Sequence, residues 1–117
     1  MEYLLLIYHV ETEYEKLPAG QKEPMHAEYR KLMEELAAQG KLRGGNQLAA
    51  TSLARTVRVR KRKKGVTDGP FAETKEQLGG YFLVDAADID EAVAIAARIP
   101  GAQSRSVEVR PVIPRQA

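Results

Sequence analysis

Apolar and polar positions follow two rhythms along this chain. Tyr3-Leu4-Leu5-Leu6-Ile7-Tyr8 is a short unbroken apolar run bounded by aromatics and predicts a strand. Residues 11–23 are polar and hold Pro18 and Gly20, which predicts a loop or irregular helix. From Met25 the spacing becomes helical: Met25, Tyr29, Leu32, Met33 and Leu36 share one face, while Glu28, Lys31, Glu34 and Glu35 lie mostly away from it. Pro24 suits the first turn of that helix and Gly40 its end. Residues 41–48 predict an irregular strand interrupted by Gly44-Gly45, and Thr56 to Arg60 alternates strictly between apolar or neutral and basic positions, as a two-faced strand does. Residues 65–78 are turn-rich around Asp68-Gly69-Pro70, with Phe71 expected to plug the core. Gly80 to Asp85 is a strand apolar on both faces. Asp88 with Glu91 makes a capping-box start to a short helix through Ile89, Ala92, Val93 and Ala96 that stops at Pro100, and Ser106 to Ile113 is a last strand whose Pro111 marks an edge.

Residues 2–48 and 80–113 thus each read strand–helix–strand. Two such units interleaved make an α+β ferredoxin-like sandwich with an extra β-hairpin between the halves, in a single domain spanning 1–117 with 114–117 as a C-terminal tail. The two strands that are apolar on both faces belong at the sheet centre. Two helices cover only one sheet face, so the other exposes Leu4, Leu6 and Tyr8, or their alternates, with side chains from Tyr81 to Val84. A contiguous patch of that kind predicts a homodimer packed sheet to sheet.

Charge adds a feature that the pattern alone does not show. The formal net charge of +2 is a cancellation: residues 1–40 carry −4, residues 41–64 carry +9 with no acidic group, and residues 65–117 carry −3. The basic block could contact phosphate backbone. It has no interleaved aromatics and no helix-turn-helix or RNA-binding signature, so the expectation is a solvated hairpin that meets acidic Glu11-Glu13-Glu15 of its own chain or of a dimer mate, not nucleic acid. With no cysteine, thiol catalysis, disulfides and Cys-ligated zinc are excluded. No apolar run approaches the ~20 residues of a membrane helix, and Glu2 stands where an export signal would carry basic charge. The expected setting is cytoplasmic, without membrane contact.

Val66-Thr67-Asp68-Gly69-Pro70-Phe71-Ala72-Glu73-Thr74-Lys75-Glu76-Gln77-Leu78-Gly79-Gly80 resembles the signature of the DGPF group within the YCII-related family. Tyr3 to Tyr8, Ala97-Arg98-Ile99-Pro100 and Val107-Glu108-Val109-Arg110-Pro111-Val112 resemble that group's other blocks, so the resemblance spans residues 1–113. It implies a dimeric α+β barrel built of ferredoxin-like halves. It also implies companionship with extracytoplasmic-function sigma factors for many members, and it assigns no reaction. In simpler YCII-related proteins a His and an Asp on the first helix face a pocket. Counting back from Gly40, that His falls at Tyr29 and that Asp at Ala38, so the pair is not intact and catalysis is left open.

The candidate chemistry is therefore modest. His26, one helical turn before Tyr29, can carry a proton near neutrality, and Asp68 is the second candidate acid or base. Tyr29, Arg43, Glu73, Lys75 and Arg110 are candidate ligand contacts, with the pocket expected between the sheet and the first helix near His26, Tyr29, Asp68 and Arg110. The two histidines show no metal-ligand spacing, and neither Gly44-Gly45 nor Gly79-Gly80 forms a phosphate loop, so neither a metal nor a cofactor is expected. The leading expectation is a homodimer with a small-molecule pocket. The alternative is a non-catalytic regulatory partner, for example of a sigma factor.

Overall fold

The computed structural model describes residues 1–115. Its elements run β1 (Glu2–His9), α1 (Glu11–Lys16), α2 (Ala19–Ala38), β2 (Leu42–Gln47), β3 (Arg55–Arg60), β4 (Lys63–Asp68), β5 (Gln77–Asp85), α3 (Ile89–Ala97) and β6 (Ser106–Pro111), with single 3₁₀ turns at Thr51–Leu53 and Pro100–Gln103. Four strands form one antiparallel sheet in the order β2-β5-β1-β6, and β3 and β4 pair only with each other. This is the ferredoxin-like α+β arrangement with an added hairpin, and the strands that are apolar on both faces, β1 and β5, are its two central ones. Pro111 ends the edge strand β6, where its missing N–H costs no ladder bond. Of the expected tail at 114–117, residues 114 and 115 carry no regular structure and 116–117 lie outside the described residues.

One sheet face carries the core. Tyr3 and Leu5 of β1 and Phe82 and Val84 of β5 are buried against Leu32 and Leu36 of α2 and Ala92, Ile95 and Ala96 of α3. Leu4, Leu6, Tyr81 and Leu83 point the other way and stay partly exposed, flanked by Asn46 on β2 and by Glu108 and Arg110 on β6. The helices end as their sequences direct. Gly40 takes a left-handed φ of +71°, and the amides of Gly40 and Lys41 bond the carbonyls of Ala37 and Leu36, closing α2 in a Schellman motif. Asp88 accepts the Glu91 amide at 2.8 Å as the N-cap of α3.

Three local expectations are corrected. Residues 11–23 take the irregular-helix alternative, with α1 standing alone and α2 beginning at Ala19 after Pro18, so Pro24 sits inside the helix and not in its first turn. The proline removes one hydrogen bond, to the Gly20 carbonyl, close enough to the helix start for the rest of the ladder to continue. The basic run does not end in a long turn: Lys61 and Arg62, with φ of 52° and 66°, turn the chain tightly, and β4 follows at once. Phe71 does not plug the core, being 79% exposed. The Asp68-Gly69-Pro70 segment instead closes the foot of the hairpin, where the Gly69 amide bonds the Ala54 carbonyl at 2.8 Å and Thr56 Oγ1 donates to the Gly69 carbonyl at 2.8 Å.

Candidate functional site

Between the sheet and the middle of α2 lies a cavity of about 640 Å³, within the range of small-molecule sites. Its floor is Ile7 and Phe82 of the sheet, its roof Met25, Tyr29 and Met33 of α2, and α1 closes one side through Val10 and Tyr14. Two glycines let the backbone approach the side chains that line the cavity. A bulge between Ile7 and Tyr8 in the β1–β5 pairing leaves Gly79 unpaired. A Cβ there would lie 2.7 Å from His9 Nε2, so a larger residue would displace that imidazole. A Cβ on Gly101 would lie 2.9 Å from Tyr29 Oη and 3.3 Å from Ile7 Cγ2.

Three polar rings stand side by side in the lining. His9, Tyr14 and His26 form a row, with ring centroids 5.6 Å apart for the first pair and 6.2 Å for the second. Tyr14 Oη and His26 Nε2 are 2.9 Å apart and share a hydrogen bond whose direction depends on the imidazole tautomer. Lys22 Nζ stands 4.8 Å from the centre of the Tyr14 ring. Deeper in, Tyr29 Oη accepts the Gly101 amide at 3.1 Å, and its ring meets Phe82 edge-on at 6.3 Å. Burial pushes the Tyr29 hydroxyl above the usual tyrosine pKa, opposed by the Gly101 hydrogen bond. At the rim Arg105 pairs with Glu13, and Arg30 pairs with Glu23 at 3.0 Å, so both guanidinium groups arrive neutralised. Glu11 clamps the neighbouring loop, accepting the amide and the hydroxyl of Thr51, each at 2.8 Å.

Of the residues singled out from sequence, His26 and Tyr29 line this cavity together. The others lie elsewhere. Asp68 pairs with Arg55 at 3.1 Å at the foot of the hairpin. Arg43, the extra residue of a bulge between β2 and β5, bonds the Gly40 carbonyl at 2.6 Å and Asp85 at 3.1 Å. Arg110 pairs with Glu108 on the open sheet face, Lys75 is exposed, and Glu73 borders a separate small depression with Pro70 and Gln77. His9, Tyr14 and Arg105 carry no site role in the sequence pattern, and Glu13 is expected there only as a partner of the basic block. A signal for His9 was present in Gly79-Gly80, a glycine pair facing the end of β1. Tyr14 was lost with its helix, which the polar stretch concealed.

Chemically the row offers an imidazole partnered by a neutral hydroxyl and not by a carboxylate, above apolar walls. That arrangement suits hydrogen bonding to a polar head. No group of three or more His, Cys, Asp or Glu among the described residues could hold a metal ion. No helix among them is long and apolar enough to cross a membrane.

An antiparallel four-stranded sheet, helices on one face and a ligand-sized cavity between them define a ferredoxin-like α+β domain with a candidate small-molecule site. The chain belongs to the YCII-related family, whose domain matches residues 1–116. It is 35% identical over 114 residues to an uncharacterised protein of Rhizobium meliloti (strain 1021), across 96% of this chain and 92% of that protein.

Proposed function

We propose that this YCII-related protein belongs to the DGPF group and acts as a homodimer that binds a compact, mainly apolar small molecule. The ligand carries one polar head, such as a hydroxyl, carbonyl or carboxylate, directed at the Tyr14–His26 pair. The block at 66–80 is the reason for the group assignment, and the partly exposed row Leu4, Leu6, Tyr81 and Leu83 is the reason for the dimer. The observation that carries the ligand reading is the cavity itself: about 640 Å³ of space with Ile7, Met25, Met33 and Phe82 among its walls and the hydrogen-bonded Tyr14–His26 pair facing it. A purely regulatory contact partner needs no such cavity, and this favours the ligand reading over the adaptor alternative. His26 is the candidate proton carrier if the ligand is also transformed.

Thermal unfolding in the presence of a panel of aromatic and alicyclic carboxylic acids, alcohols and ketones tests the proposal. At least one class is expected to raise the midpoint by roughly 10 °C, about the effect of ligand at ~100 times its Kd, and the shift should vanish in His26→Ala and shrink in Tyr14→Phe. A panel that leaves the midpoint unchanged throughout would sink the ligand reading.

A further inference from the structure

The β3–β4 hairpin is an element with nothing of its own chain to lie on. Its strands pair with each other and with no other strand, and every residue from Arg55 to Asp68 except Thr56 is exposed. Val57, Val59 and Val66 fall on one face by register and are 57%, 59% and 51% exposed. The radius of gyration, 16.3 Å, exceeds the about 13 Å of a compact domain of this length, as a projecting arm about 20 Å long requires. An isolated two-stranded hairpin is at best marginally stable in water. This one also turns through two non-glycine residues in the left-handed region, a further cost.

Charge indicates what covers it. Residues 55–68 carry +6, and the rest of the chain carries −4. Among the described residues of the arm only Arg55 makes an ion pair, with Asp68 of the arm itself. Glu11 and Glu13 of the same chain, expected partners for the basic block, are already taken by Thr51 and Arg105. Exposed carboxylates without ion pairs among the described residues remain on the helical layer at Glu15, Glu28, Glu34 and Asp90, and they outnumber the exposed unpaired cations there, Lys16 and Lys31. A second copy of the chain presents that same acidic surface, and two like-charged arms repel each other. The complementary contact is therefore arm to body, repeated reciprocally about a two-fold axis.

We propose that the hairpin is an exchange arm: its Val57–Val59–Val66 face and its lysines seat on the acidic body of a second copy of this chain. The proposal rests on the dimer reading above and assigns that dimer a second contact beyond the sheet face.

Isotope-labelled and unlabelled chains, unfolded, mixed and refolded together, provide the test. A zero-length carbodiimide reagent, which joins lysine amines to carboxylates, is then applied and the products read by mass spectrometry. Mixed-isotope links from Lys61, Lys63 or Lys64 to body carboxylates are expected, and they should fall about tenfold in Val57→Asp/Val59→Asp. Because both valines are solvent-exposed, that variant should keep the far-ultraviolet circular dichroism of the parent. Dimers that sediment normally yet give no mixed links from the arm overturn the arm and leave the dimer standing. A monomer at micromolar concentration overturns both. Mixed links that persist undiminished in the double variant also overturn it, since chance collision needs no valine row. Retardation of a short DNA duplex at ~0.15 M salt, without mixed links, would assign the arm to a polyanion instead.

Discussion

Tyr29 shows how one half-buried hydroxyl organises a site. Its oxygen accepts the Gly101 amide and its ring packs edge-on against Phe82. Its hydroxyl anchors the Pro100–Gln103 turn instead of facing a reacting group, and the turn in turn presents Arg105 to the rim. Burial raises the Tyr29 pKa, so the folded state holds this proton more tightly than the unfolded chain does. A group raised in this way adds stability that is fully present below its unfolded value of about 10 and is lost as the pH rises through its folded value. Tyr29→Phe is therefore expected to weaken the fold near neutral pH by about 1 kcal/mol, because the Gly101 amide loses its acceptor, while flattening the alkaline decline of stability. Urea unfolding near neutrality and again above pH ~10 checks both signs; equal losses at the two pH values would exclude the assignment.

At the scale of elements, the hairpin is held at its foot by Gly69 and Thr56 and is unsupported at its tip. Replacing Lys61-Arg62 by Asn-Gly, the pair suited to two successive left-handed residues, removes a cost of roughly 1 kcal/mol per residue. Amide exchange at Arg58 and Gly65, a hydrogen-bonded pair of the hairpin, should slow several-fold in that variant, with the sheet amides unaffected. Unchanged hairpin protection would show that the turn does not limit its stability. The same hairpin marks where sequence legibility ends. β1 and β5 were readable as central strands because burial on both faces writes an apolar residue at nearly every position, and α2 was readable from Met25 because its stripe faces the core. β4 was not, since Lys63 to Asp68 buries nothing in the monomer and so carries no alternation to detect. The site divides in the same way. His26 and Tyr29 share a cavity because helical spacing puts them one turn apart. Asp68, Arg43, Glu73, Lys75 and Arg110 stand elsewhere because their positions depend on strand register, bulges and the foot of a hairpin, none of which a linear pattern specifies.

At the scale of the molecule, the two sheet faces are unequal in a way that a single chain does not resolve. Both α2 and α3 cover the Tyr3–Leu5–Phe82–Val84 face, leaving Leu4, Leu6, Tyr81 and Leu83 as an apolar band. Tyr81 ties the band to one polar margin, its hydroxyl accepting from Asn46 at 2.8 Å, and the Glu108–Arg110 pair forms the other. An apolar centre with polar margins is the anatomy of an interface core and rim. Face-to-face packing of two such sheets, about 10 Å apart, would close the barrel that the family resemblance implies. Leu6 lies on a central strand opposite both Tyr81 and Glu108, so it falls near the middle of the band. A carboxylate at that position would be desolvated without a partner on dimerisation, yet would remain solvated in the monomer. Leu6→Asp is thus expected to leave the circular dichroism intact and raise the dimer Kd by about a thousandfold, equivalent to about 4 kcal/mol. Sedimentation velocity across the micromolar range reads this directly. A variant that stays dimeric at the parent's concentration would move the interface off this face and leave the exposed leucines without an explanation.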